Sequence, residues 1–575
     1  MSSAAAQRTR TVADAVGEAL AATGVSDAFG VLGSGNLVVT NALCSRGSRF
    51  HHARHECGAI CMADGYARVS GRVGICSVHQ GPGLTNTATG LTEAAKSRTP
   101  VLVLAGESPL HAVNSNFRID QCGFAEALGA GWERIASAQS AERDALRAYE
   151  RARTERRPIV LCLPIDLQAQ PAADAGREAG DGARADGSAA AAGVAGAGGS
   201  DPAAGGLDER EVEAVADALA RAMRPVIIAG RGAVLSGARA ALERLGQLAG
   251  ALLATSAPAN GLFSGLDFSL GIAGGFASPT AAQLLSQADL VLAAGASLNQ
   301  WTTRHGQLIA EGATVAQIDI EPEAIGRHRP AQLSIHGDVA DVADALGAAL
   351  ERRPQRSGGW RSDEIRRRIA AGAWSAEAYQ DTSDGEWIDP RTLSIEVDRR
   401  LPAERAVAVD SGHFLGWPSM FLAVSDPRAW VFPNGFQAVG LGLGCAIGAA
   451  IAHPERPTVA AIGDGGAFMA LAEIETAVRE SLKLLVLIYD DAAYGAEVHH
   501  FAPMGHDVSR VRFRDADLAG IAAAAGAAAA TVRALDDLRA LDAWLAEERP
   551  RPLVLDAKVT PTVCADWLAE AFRTG

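Results

Sequence analysis

Two short apolar runs, each ending in carboxylates and separated by one helical pattern, constrain this chain more than any other stretch. TVAAIGD (458–464) is a β-branched and small apolar run that stops at Gly463, Asp464, Gly465 and Gly466. Phe468, Leu471, Ile474 and Ala477 then recur at a spacing of three, which predicts one amphipathic helix. LLVLIYDD (484–491) reads as a second buried strand, ending in Asp490 and Asp491. Such strands joined by a helix form a parallel βαβ unit, and both strands finish at the same sheet edge. Asp464 and Asp491 can converge there, beside a helix N-terminus. Two hard oxygen ligands at that edge suit Mg²⁺ carrying a diphosphate. An ordinary βα turn with solvated aspartates also carries Gly-Asp-Gly, so the weight rests on the whole spacing.

At 575 residues the chain is too long for one core, and it is apolar enough (48 %) to bury large sheets. A net charge of −15 argues against nucleic acid and anionic membranes as partners. The eight cysteines are scattered with no metal-finger spacing, so they read as reduced thiols of a cytoplasmic protein. The N-terminus MSSAAAQRTR has no apolar stretch behind its basic residues, so no secretory signal is expected. No run is long enough to span a bilayer.

Strand-like runs bounded by Gly or Pro recur along the chain. DAFGVLG (27–33), VGICSVHQGPG (73–83), PVLVLAGE (100–107) and PIVLCLPID (158–166) come first. RPVIIAGRG (224–232), ADLVLAAGASL (288–298) and TVAQIDIEP (314–322) follow. This rhythm predicts three doubly wound α/β domains. The expected boundaries are 8–169 for the first domain, 207–352 for a Rossmann-like central domain and 386–563 for the last. An Ala/Gly-rich stretch at 170–206, unable to bury enough surface to order itself, reads as a flexible linker, and 353–385 as a charged connector.

Glu56 opens a helical pattern in RHECGAICMADGYAR, with Ile60, Ala63 and Ala67 on a core face. A carboxylate there is as often a cap or a dipole partner. HxxHE (52–56) is not the HExxH arrangement of zinc enzymes. Gly81-Pro82-Gly83, followed by Thr85 and Asn86, reads as a turn that approaches a ligand or a second subunit.

Together these motifs resemble the thiamine diphosphate (ThDP) enzyme superfamily over residues 10 to 562. In that family the Asp of GDG, the second of two Asn and a carbonyl two residues on hold the metal. Carried over, the ligands are Asp464, Asp491 and the carbonyl of Ala493; Asp490-Asp491 in place of Asn-Asn adds charge facing a diphosphate. The cofactor loops so implied hold Gly81, Asn86, Gly463, Gly465, Gly466 and Tyr494. The resemblance gives Glu56 the bond to the aminopyrimidine that activates the cofactor. NGFQAVGLGLGCAIG (434–448) matches the segment that bends the cofactor, with Val439 as the wedge and the Gln437 carbonyl as acceptor for the aminopyrimidine; acetolactate synthases usually have Met and Gly there. The overall texture is similar to the acetolactate synthases, in which Gln121 matches a pocket residue.

Ser34 in GVLGSGN and His79 in SVHQGPG match the pocket Ser and His of benzoylformate decarboxylase instead, implying a carboxylate contact and a proton relay. A strand-end histidine satisfied by backbone is the alternative for His79. His499 and His500 follow the metal loop, where the resemblance implies a substrate-contacting segment, with a solvated turn as the alternative. SLNQWTTRHG (297–306) lacks the Arg-Phe-Asp-Asp-Arg segment by which acetolactate synthases hold FAD, so FAD is not expected. The resemblance implies decarboxylation of a pyruvate-like 2-oxo acid and transfer of its acyl unit to a second carbonyl, as for acetolactate in branched-chain amino acid biosynthesis. Simple decarboxylation to an aldehyde, or a non-catalytic binding protein, are the alternatives. It also implies a homodimer or homotetramer with the cofactor at the subunit interface.

Overall fold

The computed structural model describes residues 9–109, 111–172, 206–354, 360–549 and 551–572. The greater part of the 170–206 stretch lies outside the described residues. Three six-stranded sheets follow one another, and every strand pair in them is parallel.

The first sheet holds β1 (Asp27–Gly30), β2 (Arg49–His52), β3 (Gly74–Val78), β4 (Val101–Glu107), β5 (Gly131–Arg134) and β6 (Ile159–Pro164) in the order 2-1-3-4-6-5. The central sheet holds β7 (Pro225–Ala229), β8 (Leu252–Thr255), β9 (Ser269–Ile272), β10 (Leu290–Ala294), β11 (Thr314–Asp319) and β12 (Leu333–His336) in the order 12-11-10-7-8-9. The last holds β13 (Ala406–Val409), β14 (Trp430–Val431), β15 (Thr458–Gly463), β16 (Leu484–Asp490), β17 (Ala528–Val532) and β18 (Leu553–Lys558) in the order 14-13-15-16-18-17. The first and last sheets thus share one topology. In each the strand order reverses between the first and third strands, and ligands of open α/β sheets bind outside the carboxyl ends at such a point.

Two sequence expectations change. The pattern after Gly463 forms two short helices, Asp464–Ala470 and Glu473–Arg479, rather than one. Ile474 and Ala477 enter the core, whereas Phe468 is 47 % exposed, because the interruption at 471–472 takes the first turns off the common face. The stretch read as a connector is also partly built into the central domain. Trp360 joins the hydrophobic cluster of β7, β8 and β10, and Arg361 donates to the Ala251 carbonyl at 2.7 Å.

The first and last domains are fused through two helices, Glu56–Ser70 and Gly442–Ala452, that share one hydrophobic core. Glycines let their backbones touch: a Cβ on Gly448 would sit 1.9 Å from the Met62 carbonyl oxygen, and one on Gly65 would sit 2.1 Å from that of Cys445. Polar groups lock the junction around this contact. Glu473 accepts from the backbone amides of Arg54 (3.1 Å) and His55 (3.0 Å). Buried Glu93 accepts from the amides of Gly435 and Phe436 and pairs with Arg68 at 2.9 Å.

His51 links the same two domains, lying 2.9 Å from Asp27 and 2.8 Å from Glu480. Burial opposes the charged imidazole, but the two carboxylates outweigh it and raise the pKa above the ordinary 6.5. A raised folded-state pKa gives stability that is complete below the unfolded value and is lost as pH rises through the folded one. Melting temperatures recorded from pH 6 to pH 9 should fall as pH rises above about 6.5, and His51→Gln should remove that part of the slope. Parallel curves for the two proteins would show that the His51 bridge contributes nothing.

Candidate active site

In the first domain the reversal point lies between β1 and β3, and it gathers several of the residues singled out in the sequence. The Gly33-Ser34-Gly35 turn after β1 wraps over His79, which follows β3. A Cβ on Gly33 would sit 2.8 Å from His79 Cδ2, and the imidazole packs 5.2 Å from the Phe117 ring. Buried Asn36 shapes this turn by accepting from the Gly33 amide at 2.8 Å and donating to the Val31 carbonyl and to Ser77 Oγ. Ser34 itself is exposed.

Glu56 is the first residue of its helix, after the N-cap His55, whose Nδ1 accepts from the Cys57 amide. Asn86 donates to Glu56 Oε2 at 2.9 Å and so fixes the carboxylate. Gly81 has φ +61°, and a Cβ there would lie 2.4 Å from the Phe117 carbonyl oxygen. Gln121 is only 2 % exposed. Its Oε1 accepts from the Gly81 amide and its Nε2 faces Cys162 Sγ, so it props the turn.

In the last domain the equivalent point lies between β13 and β15, where the chain carries Asp410, Ser411, Gly412 and His413 after one strand and Gly463–Gly466 after the other. Asp464 is 8 % exposed. Burial, then the charges of Asp491 and Asp490, push its pKa up to about 8. Burial chiefly does the same to Asp491, up to about 7. Neither Asp464 nor half-buried Asp491 has a Lys or Arg ion-pair partner among the described residues.

Asp490 differs from its neighbour. Lys558 on β18 meets it at 2.6 Å, and of the two aspartates only Asp491 lines the cleft. Tyr494 covers Gly465, where a Cβ would lie 3.0 Å from its ring, and packs edge-on to Phe513. Gln437 takes the left-handed conformation (φ +58°), and its carbonyl accepts from Ser411 Oγ at 3.4 Å. Val439 is 39 % exposed, with Cγ1 3.4 Å from where a Cβ on Gly466 would be.

Sequence reasoning passed over two residues here. Fully buried Asp410 accepts from the amides of Gly440, Leu441 and Gly442, and so fixes the turn that carries Gln437 and Val439; burial lifts its pKa to about 6. An apolar run ending in Asp (AVAVD, 406–410) is the same cue that marked Asp490. Buried His413 accepts at Nε2 from the Ala565 amide at 3.0 Å, and its ring lies 4.4 Å from His499. Burial and then His499 drive its pKa down to about 3, so it is neutral. His500 stacks on Phe572 with ring centroids 3.8 Å apart.

Gln437, Val439, Gly463, Asp464, Gly465, Gly466, Asp491, Ala493 and Tyr494 all line one cleft of about 1990 Å³ to which all three domains contribute. Glu56, Asn86, Gly81, Ser34, His79 and Gln121 do not line it. In one chain these two groups of residues therefore do not share this cleft. Among the described residues no three His, Cys, Asp or Glu side chains are grouped to hold a metal. A pair of carboxylates with one backbone carbonyl suits a cation that takes its remaining oxygens from a bound diphosphate and water. In the central domain Arg304 of SLNQWTTRHG donates to the carbonyls of Gly274 and Ala277. No helix among the described residues is long and apolar enough to cross a membrane.

Three parallel α/β domains with carboxylates gathered at the strand ends of the outer two define the class: a multidomain cofactor-binding enzyme. Family models for thiamine pyrophosphate enzymes match all three domains: the N-terminal TPP binding domain at residues 10–127, the central domain at 212–346 and the C-terminal TPP binding domain at 410–557. The chain belongs to the thiamine pyrophosphate (ThDP) enzyme family. A probable 2-ketoarginine decarboxylase of Pseudomonas aeruginosa is 30 % identical over 85 % of this chain and 83 % of its own. A sulfoacetaldehyde acetyltransferase of Castellaniella defragrans is 26 % identical over 98 % and 94 %. The acetolactate synthase isozyme 2 large subunit of Escherichia coli is 27 % identical over 83 % and 82 %.

Proposed function

We propose that this enzyme uses ThDP and Mg²⁺ to decarboxylate a 2-oxo acid and to pass the acyl unit to a second carbonyl, as an acetolactate synthase does. The observation that carries the metal and diphosphate reading is the pair of buried Asp464 and half-buried Asp491, both lining the cleft with no Lys or Arg ion-pair partner among the described residues. Asp464, Asp491 and the Ala493 carbonyl hold the cation in this reading, and Gly465 and Gly466 leave room for phosphate oxygens. When bound, ThDP supplies a carbanion at its thiazolium C2 and an electron sink for decarboxylation. Glu56, oriented by Asn86, handles the proton at the aminopyrimidine end. Val439 supports the bend, and the Gln437 carbonyl receives the ring amine.

The separation of Glu56 from the cleft supports an assembly in which a second copy brings its first domain to the diphosphate half, as a homodimer or a pair of dimers. The enzyme acts without FAD in this reading, and a purified protein free of flavin absorption is the expected result. The decarboxylase alternative is favoured by one observation, the seating of the Ser34 turn on His79. Incubation with ThDP, Mg²⁺ and single 2-oxo acids (pyruvate, 2-oxobutyrate, aryl 2-oxo acids), with and without an aldehyde acceptor, separates the two. Acyloin or acetohydroxy acid products are expected; aldehyde as the sole product would overturn the transferase reading.

A further inference from the structure

Lys558 sits at the end of β18 and is 2 % exposed. It pairs in register with Asp490 at the end of β16. Its ammonium makes four close contacts: Asp490 Oδ2 at 2.6 Å, Asp515 Oδ1 at 2.6 Å, Asp556 Oδ2 at 2.9 Å and the Ala516 carbonyl at 2.7 Å. Arg533, 3.1 Å from Asp515, is a further base beside this group.

The Asp490 carboxylate has a second task. Its Oδ1 accepts from the Ala492 amide at 2.9 Å, and Ala492 takes the left-handed conformation (φ +52°) that turns the chain toward Ala493. The far side of the turn is held by the 511–516 segment, which Lys558 also grips. Tyr494 donates to the Val511 carbonyl, and Phe513 donates to that of Ala492. Lys558 therefore joins both strands of a small frame around Asp491 and Ala493. Without a cation at this place, the Asp490 charge would lie buried next to two further carboxylates, Asp464 and Asp491. An asparagine at 490 could offer the same oxygen to the Ala492 amide without needing a counter-charge.

We propose that Lys558 is a positioning residue for the metal- and diphosphate-binding turn, and that it lets this chain carry an acidic pair there by neutralising Asp490. The proposal rests on the reading that Asp464, Asp491 and Ala493 hold a cation and diphosphate. Removing one partner of a buried ion pair leaves an uncompensated charge, whereas removing both is far milder. The two residues should therefore act as a coupled unit rather than independently.

The test titrates ThDP at fixed Mg²⁺, and Mg²⁺ at fixed ThDP, into the full chain, followed by tryptophan fluorescence. Wild type, Lys558→Met, Asp490→Asn and the double variant are compared, each with a melting curve taken without metal. Lys558→Met is expected to weaken ThDP binding at least about tenfold and to raise the Mg²⁺ requirement. The double variant is expected to recover at least about threefold of that loss, though not all of it, because Asp515 and buried Asp556 still lack Lys558. A Lys558→Met protein that melts lower but binds ThDP and Mg²⁺ as wild type does would overturn the proposal. So would a double variant that is no better than the single one, whether it binds weakly or fails to fold; that comparison decides the matter even when Lys558→Met alone does not fold. Failure of the wild type itself to bind ThDP with Mg²⁺ would overturn the underlying metal-site reading as well, and it is recognisable because it precedes any mutation.

Discussion

Glu56→Gln should lower turnover by about 10²–10⁴-fold while leaving ThDP binding nearly unchanged. The carboxylate stands at the start of the Glu56–Ser70 helix with one oxygen held by Asn86 at 2.9 Å. Gln has the same length and can present an amide oxygen to Asn86, so position and packing survive. What disappears is a group that can take up and return a proton at the aminopyrimidine. Binding measured by fluorescence titration and turnover measured as CO₂ release separate the two contributions. A variant that releases CO₂ at the wild-type rate would remove Glu56 from the catalytic machinery.

The second large effect is on stability. Gly448→Ala should destabilise the chain by about 3 kcal/mol, although alanine favours a helix by about 1 kcal/mol over glycine. The added carbon would sit 1.9 Å from the Met62 carbonyl oxygen and 2.8 Å from the Tyr66 nitrogen, both backbone atoms of the opposing helix. Neither can yield without separating the two domains that share this core. Gly347→Ala supplies the contrast. It lies inside the Val339–Glu351 helix, and its added carbon would meet only Leu248 Cδ1, at 3.8 Å. There the propensity term acts alone, and a gain of up to about 1 kcal/mol is expected. Denaturant unfolding of the three proteins reads both signs; a Gly448→Ala protein as stable as wild type would mean that the helices do not pack this closely.

Much of the architecture was legible because it is written in local pattern. Buried parallel strands need continuous apolar runs, and the chain must turn at Gly, Pro or Asp at their ends. Glu56, Asp464 and Asp491 stood out for the same reason: each is a carboxylate at a predicted strand end or helix start. The pairing of Asn86 with Glu56 was not predicted, although both residues had been singled out, because neither segment specifies how far apart their ends lie in space.

The misreadings have a common origin in contacts that sequence spacing does not encode. Phe468 fits the helical repeat, but the helix breaks before the repeat can reach the core, and the side chain is left 47 % exposed. Gln121 was placed by resemblance alone, and its bond from the Gly81 amide is a contact that sequence spacing does not give. Asp410 and His413 drew no attention because their partners, the 440–442 amides and Ala565, lie on other loops. His51 joins Asp27 and Glu480, and the last is more than four hundred residues away.

Asp490 and Asp491 show the division most sharply. The sequence by itself determined that a buried strand ends in two carboxylates at the edge where Gly-Asp-Gly also ends, since hydrophobic periodicity and parallel chirality leave no other place for them. It also determined the family, through motifs whose order along the chain is local information. Only the tertiary structure decided that the two neighbours have opposite fates. Successive residues leaving a strand point to opposite sides, so Asp490 turns to Lys558 on the neighbouring strand and Asp491 turns to the cleft beside Asp464. The reason is physical: a buried charge is tolerable only beside a countercharge, and which countercharge lies within reach is set by how the sheet assembles.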